Sequence, residues 1–161
     1  MSALVNGSQW LPNTASLGEA REYVQALAMG KGGRCPCCGQ RAQVYRRSIN
    51  SGMAHSLVTM YAKAKLDWIN VPLDVGARSR EEGKLRYWGL VAEDTDKRLD
   101  GGHSGWWRVT ELGGRFVREQ ATVPKYALVY DGVPLGLTGP EVGITDCLGE
   151  KFDLRELLNR E

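Results

Sequence analysis

Cys35 and Cys38 are the residues of this 161-residue chain whose type and spacing point most directly to chemistry. Two thiolates in a Cys-x-x-Cys turn can reach one tetrahedral zinc ion, and Gly39 allows the turn to tighten behind them. Cys37 stands at the variable position of such a knuckle, so it can point away as a spare thiol. A closed structural site takes four ligands. The further candidates are Cys37, His55, His103 and Cys147.

Three interpretations of this turn stay open: one structural zinc ion, reduced free thiols in a tight turn, or redox chemistry. In a reducing compartment, three cysteines within four positions are better explained by metal than by disulfides. A second Cys-x-x-Cys is absent from the sequence. A bound zinc, worth on the order of 10 kcal/mol in small zinc modules, makes folding of such a region metal-dependent.

A long basic stretch surrounds the cysteines. No acidic residue occurs between Glu22 and Asp67, and residues 1–66 carry a net charge of +6 against −4 for residues 67–161. The basic residues of the stretch are Lys31, Arg34, Arg41, Arg46, Arg47, Lys63 and Lys65. Such a segment attracts phosphates, and binding through it is salt-sensitive because counterions are released. The alternative is a solvated face balanced by the acidic half of the chain or by a protein partner.

The composition is that of an ordinary globular domain, with 42% apolar and 25% charged residues. No apolar run approaches the roughly 18 residues of a membrane span, and the amino terminus lacks the pattern of a signal peptide. We therefore expect a cytoplasmic protein, in the host cell if phage-encoded, with no membrane partner.

Two capped helices are predicted before residue 66. Ser16 and Glu19 form a capping-box pattern for a helix that ends at Gly30. Asn50 or Ser51 caps the longest helix, whose apolar stripe contains Met53, Leu57, Met60, Tyr61 and Ala64. Residues 68–71 then predict a strand closed by Pro72, with 74–78 as a connection.

The stretch from Ser79 to Gln120 predicts a helix, a strand, a polar loop, a strand and a second helix. Ser79 and Glu82 form a capping box for the first helix, which ends at Gly89 and leads into a strand. Residues 93–105 form an exposed hairpin tip, because they are charged and rich in glycine. Residues 106–109 return as a strand with Trp107 in the core, and Thr110 caps the second helix.

The remaining residues predict a β-hairpin and a helix. The hairpin joins 126–130 to 133–137 through Asp131-Gly132, residues 142–145 add a third strand, and Asp153 caps the last helix. The predicted fold is α+β: a winged helix-turn-helix-like core with an N-terminal helix, a cysteine knuckle and a C-terminal β-hairpin and helix extension. The expected segments are 1–47, 48–120 and 121–161, packed as one unit.

Residues 79–119 resemble the last half of the winged helices in the multiple-antibiotic-resistance-regulator family. The resemblance rests on Leu85, Gly89-Leu90-Val91, the polar tip and Trp107-x-Val109-Thr110-Glu111-x-Gly113. In that family the helix before the Gly-Leu-Val strand enters the major groove and the wing touches the DNA backbone. Residues 72–78 are short for the middle helix of that layout.

A second resemblance, to a group of small uncharacterised proteins of tailed phages and prophages, implies an origin but no activity. It rests on Arg34-Cys-Pro-Cys-Cys-Gly-Gln, Asn50-Ser-Gly-Met-Ala, Tyr87-Trp-Gly-Leu-Val and Val123-Pro-Lys-Tyr.

Several basic side chains are candidates for contacts to nucleic acid through phosphates or guanine edges. They are Arg46, Arg47, Arg78, Arg80, Lys84, Arg86, Lys97 and Arg98. Glu81 and Glu82 favour the dipole of the helix that they begin, but they repel DNA.

Enzymatic activity has little support, since the sequence contains no phosphate-binding glycine loop, no His-Glu-x-x-His and no Gly-x-Ser-x-Gly. The first hypothesis is a non-enzymatic winged-helix protein of phage or prophage type that binds nucleic acid as a transcriptional or genome-associated regulator. The alternative is a viral effector that binds a host protein complex, such as RNA polymerase or a defence assembly, through its wing and C-terminal hairpin. The extension also offers a surface for homodimer formation.

Overall fold

The computed structural model describes residues 11–76, 82–95 and 105–159. The fold is mixed α+β, as the sequence predicts. The chain divides into two compact units, one formed by residues up to Arg46 with Leu128–Gly136 and the other by Arg47–Ala127 with Leu137 onward. One sheet has the strand order β3 (Tyr45–Ser48), β7 (Val123–Tyr130) and β8 (Val133–Val142).

The first unit contains helix α1 and a short β-hairpin. Helix α1 (Leu17–Met29) has the predicted capping box, in which Ser16 and Glu19 exchange hydrogen bonds of 2.7 and 3.1 Å, and it ends at Gly30. Strands β1 (Gly33–Arg34) and β2 (Arg41–Ala42) pair antiparallel, so the knuckle lies in the loop between them. The Asp131-Gly132 turn has the positive φ values that a tight hairpin requires.

The second unit is built around helix α2 (Ser51–Ala64), whose predicted cap Asn50 accepts a 2.8 Å hydrogen bond from the Met53 N–H. The predicted stripe is buried from Met53 to Tyr61, while Ala64 is half-buried. Helix α2 packs against helices α4 (Ile144–Leu148) and α5 (Leu154–Leu158). It therefore forms the centre of this core.

The segment after α2 differs from the prediction. Strand β4 is only Ile69–Asn70, and Val71–Val75 form a π-helical turn where the end of the strand and the start of a connection were expected. The Asn70 side chain accepts from the Leu73 N–H, and Asp74 accepts from the Asn70 N–H, each at 3.2 Å. These local bonds turn the chain immediately after two strand residues.

The predicted hairpin after Gly89 is confirmed for the described residues. Strands β5 (Val91–Glu93) and β6 (Trp106–Val109) pair antiparallel, and β6 also pairs with β4, which gives the sheet order β4-β6-β5. Strand β5 begins two residues later than predicted. Residues 96–104, the tip of the expected wing, lie outside the described residues.

The helix before this hairpin is a 3-10 helix, Glu82–Trp88, with the predicted Leu85 and Trp88 buried. Ser79 lies outside the described residues. Glu82, the other half of the predicted capping box, is buried and accepts a 3.2 Å hydrogen bond from the Ser56 hydroxyl. A carboxylate in this position ties the 3-10 helix to α2.

Two further predictions concern the end of the chain. Helix α3 (Glu111–Val117) is capped by Thr110 as expected, and Asp153 caps α5. The predicted strand at 142–145 is wrong, because β8 ends at Val142 and α4 begins at Ile144. The Gly143 N–H donates a 2.8 Å hydrogen bond to the Asp146 carboxylate, which fixes the start of α4.

Among the described residues, no helix has the length and apolar character needed to cross a bilayer.

Candidate functional site

Arg47 and Lys84, two of the predicted nucleic-acid contacts, line the same depression beside the amino end of α2. The depression has a volume of about 200 Å³, and its other lining residues are Ser48, Asn50 and Met53. None of these five described lining residues is acidic. The depression is therefore suited to an anion.

Rigid elements position the two cations. Arg47 lies on β3, three residues before the cap of α2. Lys84 lies on the 3-10 helix, which is anchored by fully buried Leu85 and by the Glu82 contact to Ser56. The first turn of α2 contains no acidic residue. The positive end of the helix dipole thus adds to the two side-chain charges.

The other predicted nucleic-acid residues are distributed differently. Arg46 is exposed on β3, next to Arg47 in sequence. Arg86 is exposed, lies 5.3 Å above the Tyr87 ring, and approaches the Glu93 carboxylate at 4.0 Å. Its charge is partly offset by that carboxylate. Four further predicted residues lie outside the described residues: Arg78, Arg80, Lys97 and Arg98.

The predicted repulsion of DNA by the first turn of the 82–88 helix is reduced at Glu82. Its carboxylate is buried in contact with Ser56 and does not form part of the exposed surface. Glu81, the second acidic residue of that prediction, lies outside the described residues.

The knuckle is a tight turn closed by backbone hydrogen bonds. The Cys35 N–H donates to the Gln40 carbonyl at 2.7 Å, and the Gly39 N–H donates to the Cys35 carbonyl at 2.9 Å. Gly39 has a φ of 72°, a left-handed conformation that glycine adopts at no steric cost. The Arg34 guanidinium donates to the Gly39 carbonyl at 3.1 Å. The turn is therefore held between the paired strands β1 and β2.

The thiols of Cys35, Cys37 and Cys38 lie close together. Backbone N–H groups of Cys38 and, secondarily, Cys37 point at the Cys35 sulfur, and these hydrogen bonds lower the pKa of its thiol. A cleft of about 410 Å³ adjoins the knuckle. Its described lining residues include Cys35 and Cys38 but not Cys37, together with Arg41, Tyr45, Tyr130 and Asp131.

The remaining metal-ligand candidates have other surroundings. The His55 ring packs against Phe152 with their centroids 4.5 Å apart. Cys147 is half-buried, and burial raises the pKa of its thiol to about 11. His103 lies outside the described residues. Within 11–76, 82–95 and 105–159, no three cysteine, histidine or acidic side chains converge as a metal site.

A second surface, which we call the tryptophan face, consists of Trp68, Trp106 and Arg108. Trp68 is 42% exposed and Trp106 is 41% exposed. The Arg108 guanidinium lies 5.2 Å above the Trp68 ring. The sequence predicted Trp107 in the core, but its side chain is half-buried, and the outward-facing Arg108 was missed. Its spacing of two residues from Trp106, which places both on one face of the strand, was the available signal.

Comparisons with known proteins gave no relative: no family model, no curated protein and no solved structure matches this chain.

Proposed function

We propose that the second unit is a winged-helix-like module that binds nucleic acid, with Arg47 and Lys84 holding a backbone phosphate beside the amino end of α2. The observation that carries the proposal is the convergence of these two cations on one depression whose described lining residues include no carboxylate. An arginine fork and a lysine point charge are the side chains that proteins use for phosphate oxygens. Regulation of transcription or of a phage genome is the proposed role.

The order of elements supports this proposal. Helix α2 is followed by strand β4, the π-helical turn, the 3-10 helix and the β5-β6 hairpin. Winged helices have a comparable order, with a second helix where this chain has five π-helical residues. Among the described residues between β4 and the 82–88 helix, this π-helical turn is the only helical segment. Phosphate contact through Lys84 is accordingly favoured over deep insertion of a recognition helix.

Fluorescence anisotropy with labelled duplex and single-stranded oligonucleotides tests the proposal. The double variant Arg47→Glu with Lys84→Glu is expected to weaken binding by more than tenfold at low salt. The matched control is Lys151→Glu with Arg155→Glu, which changes the net charge equally at exposed positions around α5. Equal affinity losses in both pairs, or binding that survives the first pair, would refute the assigned site.

A second candidate function, binding to a host protein complex, is favoured by the tryptophan face. Tryptophan and arginine are the residues most enriched at energetic hot spots of protein interfaces. Trp68→Ala with Trp106→Ala should then abolish copurification of a stoichiometric partner from host cells while leaving oligonucleotide affinity unchanged. Retention of the partner by this variant would exclude the face as its docking site.

A further inference from the structure

The cysteine knuckle places the thiols of Cys35 and Cys38 on an accessible cleft. Cys35 and Cys38 line the cleft, whereas the exposed Cys37 is absent from its described lining. The N–H groups of Cys37 and Cys38 are directed at the Cys35 sulfur, which is the arrangement that stabilises a metal-bound thiolate. A closed zinc site takes four such ligands in a tetrahedron. Each chain thus offers half of a tetrathiolate site.

Two arginines flank the knuckle and one carboxylate, Asp131, lines its cleft, so the described charges nearest the thiols are net positive. Arg34 and Arg41 are direct cross-strand partners on β1 and β2, immediately before and shortly after the knuckle. Like charges in directly opposed positions destabilise a β-pair. A zinc ion with four thiolates carries a net charge of −2, so it offsets this repulsion. The same arginines repel a second knuckle when no metal and no thiolate charge is present.

We propose that one zinc ion joins two copies of this chain, with Cys35 and Cys38 of each copy as the four ligands. A twofold axis through the ion relates the two knuckles, which is the commonest symmetry of protein dimers. Cys38 is exposed and Cys35 is half-buried at the cleft, so a second knuckle has access to both sulfurs. Dimer formation is therefore coupled to zinc binding and to thiol deprotonation.

Native mass spectrometry of the full chain, purified without chelator and supplied with stoichiometric zinc, tests this proposal. The expected species has twice the 17.8 kDa chain mass and contains one zinc ion. Addition of a strong chelator should convert it to the metal-free monomer. Because this conversion is measured on the wild-type chain, it does not depend on the folding of any variant.

Variants identify the ligands. Cys35→Ser and Cys38→Ser should each give a zinc-free monomer, with the helical circular dichroism of the second unit retained. Cys37→Ser and Cys147→Ser are the matched controls and should keep one zinc per dimer. The proposal is overturned by a monomer with one zinc ion, by a dimer that survives chelation, or by a wild-type chain that binds no zinc. A dimer lost equally in the Cys37→Ser control would also overturn the ligand assignment.

Discussion

The Ser56 hydroxyl donates a 3.2 Å hydrogen bond to the buried carboxylate of Glu82. Ser56 lies on α2, and Glu82 is the first residue of the 3-10 helix that presents Lys84. This contact joins the helix whose amino end borders the anion depression to the segment that supplies one of its two cations.

Ser56→Ala should lower the free energy of unfolding by about 1–3 kcal/mol, because a buried carboxylate loses a hydrogen-bond donor. Thr59→Ala is the control: the Thr59 hydroxyl bonds to the His55 carbonyl within α2, and its loss should cost less than about 0.5 kcal/mol. Urea unfolding of both variants, followed by circular dichroism, measures the difference. Equal urea midpoints for the two variants would show that the hydrogen bond from Ser56 to Glu82 contributes little to the free energy of unfolding.

Gly113→Ala should destabilise the protein by about 1–3 kcal/mol, although alanine favours helices by about 1 kcal/mol over glycine. A Cβ at Gly113 would overlap the Leu90 carbonyl oxygen and lie 2.7 Å from the Val109 side chain. At Gly114 the nearest atom is the end of the exposed Leu66 side chain, at 3.0 Å, which can move aside. Gly114→Ala should therefore have a higher melting temperature than Gly113→Ala in thermal unfolding. The reverse order of melting temperatures would contradict this packing.

The raised pKa of Cys147, about 11 against an ordinary 9.0, predicts slow alkylation in the folded state. Burial keeps the thiol protonated, and only the thiolate reacts. Near pH 8 we expect modification about 100-fold slower in the native protein than in urea, since two pKa units separate the states. Peptide mass spectrometry after timed iodoacetamide treatment measures both rates, and similar rates would indicate that the thiol is ionised normally.

The same shift predicts a pH dependence of stability. The folded state holds the Cys147 proton more tightly than the unfolded state. The protonated thiol therefore contributes its full share to the free energy of unfolding below pH 9.0, and this share is lost between pH 9.0 and about 11. Stability of the wild type should fall more than that of Cys147→Ala over this interval. Urea unfolding midpoints at pH 8 and pH 10.5 provide the comparison. Equal decreases of the midpoint in the wild type and in Cys147→Ala would contradict the raised pKa of Cys147.

Local sequence signals accounted for the parts of the fold that local hydrogen bonds determine. Ser16, Asn50, Thr110 and Asp153 all cap the helices that they were expected to cap. The Asp131-Gly132 turn was equally predictable, because few residue pairs accept its backbone conformation.

The sequence predictions failed where one residue pattern is compatible with two secondary structures, or where two contacting residues are distant in sequence. The β-branched residues near 142–145 favour a strand. However, the Asp146 carboxylate accepts a hydrogen bond from the Gly143 N–H, and this contact favours the start of a helix. The buried contact of Glu82 with Ser56 on α2 was missed, because the two residues are 26 positions apart in sequence. The shared depression of Arg47 and Lys84 likewise depends on tertiary packing, which residue spacing does not encode.

The salt dependence of oligonucleotide binding tests the central claim most directly. Each phosphate contact contributes about 0.9 to the slope of log affinity against log salt for duplex DNA. Because the two cations hold one phosphate, Arg47→Gln with Lys84→Gln should make the slope shallower by about 0.9, whereas Lys151→Gln with Arg155→Gln should leave it unchanged. A slope that is the same in wild type and in the Arg47 and Lys84 double variant would contradict a phosphate site at this depression.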